Sequence, residues 1–203
     1  MTRTAPPERT SFAFTPENRA KADQLIARYP KGRQASAVLA VLDLAQRQSG
    51  GWLPRPAMEH VAEMLEMPFI RIHEIATFYT MFNLKPVGRH LVQLCRTTPC
   101  WLRGSDGIRD ACMKRLGIGI GETTADGAFT LVEVECLGAC VNAPVVQIND
   151  DYYEDLTSPR IIDIIDRLAR GEKPPHGSQI NRQFSAPAGG LTTLAAATKA
   201  EQA

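Results

Sequence analysis

Four of the five cysteines in this chain sit in two short segments, Cys95 and Cys100 in "CRTTPC" and Cys136 and Cys140 in "CLGAC". Any site that uses all four must bring two loops from distant parts of the sequence to one place, which restricts the folds the chain can adopt. The N-terminus, "MTRTAPPERTSF", has neither the apolar run of a secretory signal nor the character of a transit peptide, so the expected compartment is a reducing one. Disulfides are rare there, and paired cysteines are more often metal ligands or redox groups.

The chain on either side of these segments has two textures. Residues 1–14 read as a flexible arm. From Thr15, "TPEN" offers an N-cap followed by Pro16 at the first helical position, and a helix is expected to about Tyr29, before Pro30. A second helix is expected over Gln34–Gln48, where Val38, Val41, Leu42 and Ala45 recur at helical spacing before Gly50. A third begins near Pro56, with Met58, Val61, Met64 and Leu65 on one face. Pro68 opens a fourth, through Phe69, Ile72, Ile75, Ala76 and Tyr79. Residues 15–85 therefore form a helical bundle in this reading, and its aromatics and methionines at i, i+3 and i+4 read as core rather than as a cofactor box.

Beyond Pro86 the pattern shifts. "RHLVQLC" reads as a strand ending at Cys95, Ser105–Leu116 as a helix, and "FTLVEVEC" as a strand ending at Cys136. "PVVQIN" and "YYEDL" form a hairpin turning at Asp150 and Asp151. A last helix over Ser158–Arg170 is capped by Ser158, with Pro159 at its first position and Gly171 as its stop. The order over residues 86–170 is strand, helix, strand, strand, strand, helix, a thioredoxin-like arrangement, and the whole is an α+β chain. The tail, 171–203, is too poor in apolar residues to build a core, and is expected to be extended or disordered unless a partner orders it.

This order has a consequence for the cysteines. The first two strands, joined through a helix, should run parallel, and parallel strands end at the same sheet edge. Both cysteine segments begin where one of these strands ends, so Cys95, Cys100, Cys136 and Cys140 should meet in one four-sulfur site. Three chemistries suit four thiols. Structural zinc usually has C-x2-C knuckles, which are absent, although gaps of four and three residues still permit it. Dithiol catalysis wants C-x-x-C at a helix N-terminus, and neither pair has that spacing. A binuclear iron–sulfur cluster needs two thiolates on each iron, and the wider loops with small residues such as Gly138 and Ala139 suit it.

Three longer stretches carry a resemblance. "MPFIRIHEIATFYTMFNLKPVGRH", "CRTTPCWLRGSDGI" and "GETTADGAFTLVEVECLGACVNAPVVQINDDYYEDLT" are similar to the 24-kDa-type subunit family of respiratory complex I, the NADH:quinone oxidoreductase, over about residues 12–190. The resemblance implies a helical bundle followed by a thioredoxin-like ferredoxin domain with one [2Fe-2S] cluster. Cys95 and Cys100 would bind one iron, and Cys136 and Cys140 the other. It also implies an electron-transfer subunit that packs against a neighbouring FMN- and NADH-binding subunit, among other hydrophilic-arm subunits, and exchanges electrons with that flavin. FMN and NADH would be held by the partner, with no complete reaction on this chain alone. The location implied is the cytoplasmic side of a bacterial inner membrane, or the matrix side in an organelle. The same module serves NAD-linked formate dehydrogenases and NAD-reducing hydrogenases as a diaphorase subunit, and a zinc-binding scaffold is the non-redox alternative.

Other signals point away from further sites. The 23 basic and 22 acidic residues leave a net charge of +1, without the basic field that nucleic acid attracts. The run "ASAVLAVLDLA" is far short of the ~20 residues needed to span a bilayer. Cys112 lies on an apolar helix stripe and reads as a core thiol. His60, His73, His90 and His176 form no ligand pair. "GIGIG" follows a helix instead of a strand and reads as a turn rather than a dinucleotide loop. Arg96 lies in the first segment and Arg103 just after it, where positive charge would favour the reduced state of an anionic cluster.

Overall fold

The computed structural model describes residues 11–190, 192 and 193. The ends of the expected N-terminal arm and C-terminal tail lie outside these. The chain divides between Arg89 and His90 into two compact units.

Among the described residues the first unit contains four α-helices. α1 (Pro16–Ile26) begins as its sequence dictates, with the Thr15 hydroxyl accepting the Asn18 amide at 3.2 Å and Pro16 in the first turn. It ends before the expected Tyr29, because Arg28 and Tyr29 donate three residues back, to Leu25 and Ile26, in a tightened turn ahead of Pro30. The segment Gln34–Ala37 is a 3-10 turn, and α2 (Val38–Gln48) follows it. α3 (Arg55–Met64) and α4 (Phe69–Phe78) complete the set. Val41, Leu42, Ala45, Val61, Leu65 and Ile72 form the centre of its core, and each of the large aliphatic side chains stabilises the fold by roughly 1.5–3 kcal/mol.

At the end of α4 the side chains turn outward, and Tyr79, expected on the packed face, is among them. Phe78 is 76% exposed, Met81 50% and Tyr79 40%. The chain after α4 is held by the buried Phe82 ring and by polar contacts. The buried Gln46 side chain donates to the Met81 carbonyl at 3.0 Å and accepts the Asn83 amide at 2.7 Å. One anchored ring and two polar contacts therefore fix this turn.

The second unit is built on a mixed five-stranded sheet in the order β2-β1-β3-β4-β5. β1 (His90–Cys95) pairs in parallel with β2 (Phe129–Val134) and antiparallel with β3 (Val146–Ile148). β3 pairs antiparallel with β4 (Asp151–Glu154), and the turn between them is Asn149–Asp150, one residue earlier than expected, with Asn149 in the left-handed region. A short helix α5 (Thr98–Leu102) and the longer α6 (Ser105–Leu116) join β1 to β2, and α7 (Ser158–Ala169) follows β4. Ile108 and Cys112 of α6 and Ile161, Ile164, Ile165 and Leu168 of α7 pack on Val92, Leu94, Leu131 and Tyr153. α7 is capped differently from the sequence reading. Thr157 holds the cap position, and the Ser158 hydroxyl donates to the Gly107 carbonyl at 3.0 Å, tying α7 to α6.

"GIGIG" is the turn expected of it. Gly117 ends α6 in the left-handed conformation, and the chain after Gly121 lies along the start of β2, where Thr123 and Thr130 share a hydroxyl bond of 2.8 Å. The stretch after Gly171 finds partners on this unit itself. β5 (Gly177–Ser178) pairs in parallel with β4, and Arg182 reaches the buried Asp155.

Candidate metal centre

Strand alternation places the first pair of sulfurs. Val92 and Leu94 face the helix-covered core, so Cys95, the next residue, points to the opposite face. There it forms a small cluster with Cys100, Ala143 and Val145, against which Leu137, Ala139 and Tyr152 pack. Cys100 lies in α5, whose Pro99 sits in the first turn, and both sulfur residues are buried. Tyr152 obeys the same alternation on β4. Tyr153 enters the helix-side core, while Tyr152 turns to the cysteine face and donates its hydroxyl to the Leu137 carbonyl at 2.8 Å.

The second pair is reached through a loop. β2 stops at Val134 rather than running to Cys136, so Cys136 stands free of the ladder. Gly138 adopts φ +82°, a conformation natural to glycine, and the turn brings its N–H to within 3.3 Å of the Cys136 sulfur. The Cys136 and Cys140 sulfurs are 3.5 Å apart and exposed. That separation is close to the ~3.8 Å that a tetrahedral ion with ~2.3 Å bonds imposes on two of its thiolates.

The two loops are tied to each other. The Leu137 N–H donates to Cys95, Thr97 hydrogen-bonds both Cys95 and Cys136, and the Cys95 amide donates to the Val145 carbonyl at 3.4 Å. All five cysteines are free thiols. The topology therefore brings the four sequence-predicted residues to one sheet edge, while Cys112 is fully buried between α6 and the sheet. Among the described residues, no group of three or more His, Cys, Asp or Glu side chains stands close enough together to hold a metal ion. The sulfurs are arranged as two pairs.

Each pair splits its acidities. Burial pushes Cys95 up, but bonds from the Thr97 hydroxyl, the Leu137 and Thr97 backbone and Cys100 more than offset it, and its pKa falls below the ordinary thiol value. Cys100 is pushed up to about 12 by burial and by its bond to Cys95. In the exposed pair the Gly138 N–H, then Cys140, lowers Cys136, while the bond to Cys136, then burial, raises Cys140. A four-thiolate cofactor would displace every proton the four thiols still carry, and those of Cys100 and Cys140 would be the harder to remove. Donors aimed at sulfur and two chelating pairs fit a [2Fe-2S] cluster.

Sequence spacing located the cysteines and not the residues that hold them. Thr97, Tyr152, Asn142 and Arg182 carry no spacing signal, because each acts through a contact made only in the fold. Arg96, expected to lend positive charge, is paired with Glu133 of β2 at 2.9 Å and is itself 63% exposed, so its charge is largely compensated.

Comparison with known proteins identifies the family. The family model for the thioredoxin-like [2Fe-2S] ferredoxin matches residues 22–169. An NADH-quinone oxidoreductase subunit of Rickettsia bellii is 62% identical over 159 residues, covering 78% of this chain and 95% of that protein. The mitochondrial NADH dehydrogenase [ubiquinone] flavoprotein 2 of Dictyostelium discoideum is 50% identical over 187 residues, covering 92% of this chain and 76% of that protein. Among solved structures, an NAD+-reducing [NiFe]-hydrogenase in the air-oxidized state superposes with a TM-score of 0.57 at 21% identity, over 64% of this chain and 23% of the hydrogenase chain, a likeness of fold. The chain belongs to the thioredoxin-like [2Fe-2S] ferredoxin family, in the branch formed by these NADH-quinone oxidoreductase components.

Proposed function

We propose that Cys95 and Cys100 bind one iron and Cys136 and Cys140 the other iron of a [2Fe-2S] cluster, and that the chain exchanges electrons with the FMN of a neighbouring NADH-binding subunit. The observation that carries this reading is the meeting of two chelating sulfur pairs at one sheet edge, cross-linked through Thr97 and Leu137. Bound there, the cluster supplies a one-electron carrier, which a two-electron flavin needs to pass electrons on singly. The chain's own part is to hold four thiolates, to aim N–H groups at the sulfurs, and to keep water from the inner pair by burying Cys95 and Cys100.

The surroundings favour docking. Trp101 and Leu102 directly follow Cys100, Val141 directly follows Cys140, and these are 57%, 70% and 66% exposed. Apolar side chains left exposed beside a redox site suit a protein partner. The identity of 62% across 95% of a quinone oxidoreductase subunit favours that complex over the hydrogenase type. No helix among the described residues is long and apolar enough to cross a membrane. In this reading the chain reaches the membrane through its partners, in the peripheral arm on the cytoplasmic side of a bacterial inner membrane.

The test is anaerobic purification of the full chain with iron and acid-labile sulfide counted, followed by visible and electron paramagnetic resonance spectra before and after dithionite. The expected result is two irons and two sulfides per chain, a red-brown colour, and a spin-half signal only after reduction. A colourless protein with one zinc would overturn the proposal and leave a structural scaffold.

A further inference from the structure

The two halves of the candidate site are anchored by different parts of the chain. The first half is carried by β1 and α5, and its sulfurs are buried. The second half, from Cys136 to Asn142, leaves β2 two residues early and has no strand of its own. Its beginning is tied to β4 by Tyr152. Its end is tied largely to residues 177–186, a stretch outside the residues that the ferredoxin family model matches.

Arg182 is the centre of that attachment. Its side chain is only 9% exposed, in a segment otherwise poor in reasons to be buried, and it pairs with Asp155, which is 4% exposed. The same guanidinium donates to the Val141 carbonyl at 3.3 Å and to the Ala186 carbonyl at 3.1 Å. Val141 is bonded directly to Cys140. A second tie runs beside it. Asn142, itself buried, donates to Glu154 and to the Phe184 carbonyl at 2.9 Å, and its own carbonyl accepts the Asp155 amide at 2.7 Å. Asp155 also accepts from the Ser178 hydroxyl at 2.7 Å, next to the β4–β5 pairing. Both ties end within two residues of Cys140.

A buried ion pair contributes little net stability, since desolvation offsets most of the attraction, but the planar fork of arginine fixes several acceptors in one geometry. We infer that Arg182 is a positioning residue for the cluster: residues 177–186 form a strap whose buried guanidinium holds Val141, and through it Cys140, in ligating position. The inference rests on the four-cysteine reading above. The second half of the site is in this sense assembled by the C-terminal segment.

Arg182→Gln alone would leave Asp155 charged and unpaired, which by itself destabilises. The informative variant therefore combines Arg182→Met with Asp155→Asn. Asn keeps an acceptor for Ser178 and tolerates the left-handed backbone of position 155, and no buried charge remains. In the full chain, purified anaerobically, this double variant is expected to keep its circular dichroism and its metal-free unfolding midpoint. Its iron should pass to a ferrous chelator about 10-fold faster or more, the range typical of lost outer-shell partners, and the g-values of its reduced cluster should shift. Arg182→Lys, which reaches Asp155 but not all three acceptors, is expected to fall between. Wild-type rates and g-values in a folded double variant would overturn the strap. A double variant that unfolds passes the decision to Arg182→Lys, where wild-type iron release and g-values would overturn it equally. Wild-type protein without any iron–sulfur signal would instead overturn the cluster reading.

Discussion

Cys95 and Cys100 are 2% and 1% exposed, whereas Cys136 and Cys140 face solvent, and the difference lies in how each loop leaves the sheet. The first departs from a central strand, so its sulfurs fall under Val145 and Ala143 and inherit the packing of the fold. The second departs from an edge strand, with β2 at one end of the sheet order, and owes its shape to single polar contacts from Gly138, Tyr152 and Arg182. One half of the site is thus built by burial and the other by hydrogen bonds. In the proposed function the exposed half is the one a redox partner would approach.

The comparison is broken most severely by removing one sulfur from each half. Cys100→Ala and Cys136→Ala should each abolish the binuclear cluster, read as iron and sulfide content. In metal-free protein only Cys100→Ala should lower stability, by about 1–2 kcal/mol for a small buried group, while Cys136→Ala should stay within about 0.5 kcal/mol. Equal urea midpoints for the two variants would contradict the buried and exposed assignment.

Cys112 sharpens the comparison, being buried like Cys100 but outside the site. Burial alone pushes it from 9.0 up to about 12. A thiol whose folded pKa is raised contributes fully below its unfolded pKa, and that contribution disappears as pH climbs from about 9 to about 12. The upper bound is ~4 kcal/mol across that window. Cys112→Ala should therefore unfold less steeply with alkali than the parent, and parallel pH–stability curves would refute a buried neutral thiol.

Gly138→Ala probes the polar half. A Cβ there would meet no atom within 4 Å, so the effect is purely of backbone conformation at φ +82°. About 1–2 kcal/mol is expected, felt as faster iron loss with little change in overall unfolding. The smallest effect belongs to Arg96→Gln. Its ion pair with Glu133 is largely exposed on the arginine side, which holds its worth below about 1 kcal/mol. Its loss should lower the reduction potential by no more than a few tens of millivolts, and a much larger fall in a redox titration would mean that Arg96 acts on the cluster directly.

Much of the packed half was legible in the sequence. Alternation in "RHLVQLC" and helical spacing at Ile108, Cys112 and Leu116 dictate strand and helix through burial, and burial leaves a periodic trace. The polar half left little trace. α5 has five residues, too few for periodicity, and β5 has two. The Thr157 cap makes no side-chain bond, and Ser158, the better capping residue, is drawn off to Gly107. Arg182 reads as one more surface arginine in a tail of low apolar content, because its partner Asp155 and its acceptor Val141 lie 27 and 41 residues away.

The most direct test of the two-pair site is iron-57 Mössbauer spectroscopy of the reduced full chain. Two sulfur-coordinated iron environments in equal amounts are expected, one ferrous and one ferric, as one electron added to a two-iron cluster held by two cysteine pairs demands. A single iron environment, or one iron per chain, would contradict it.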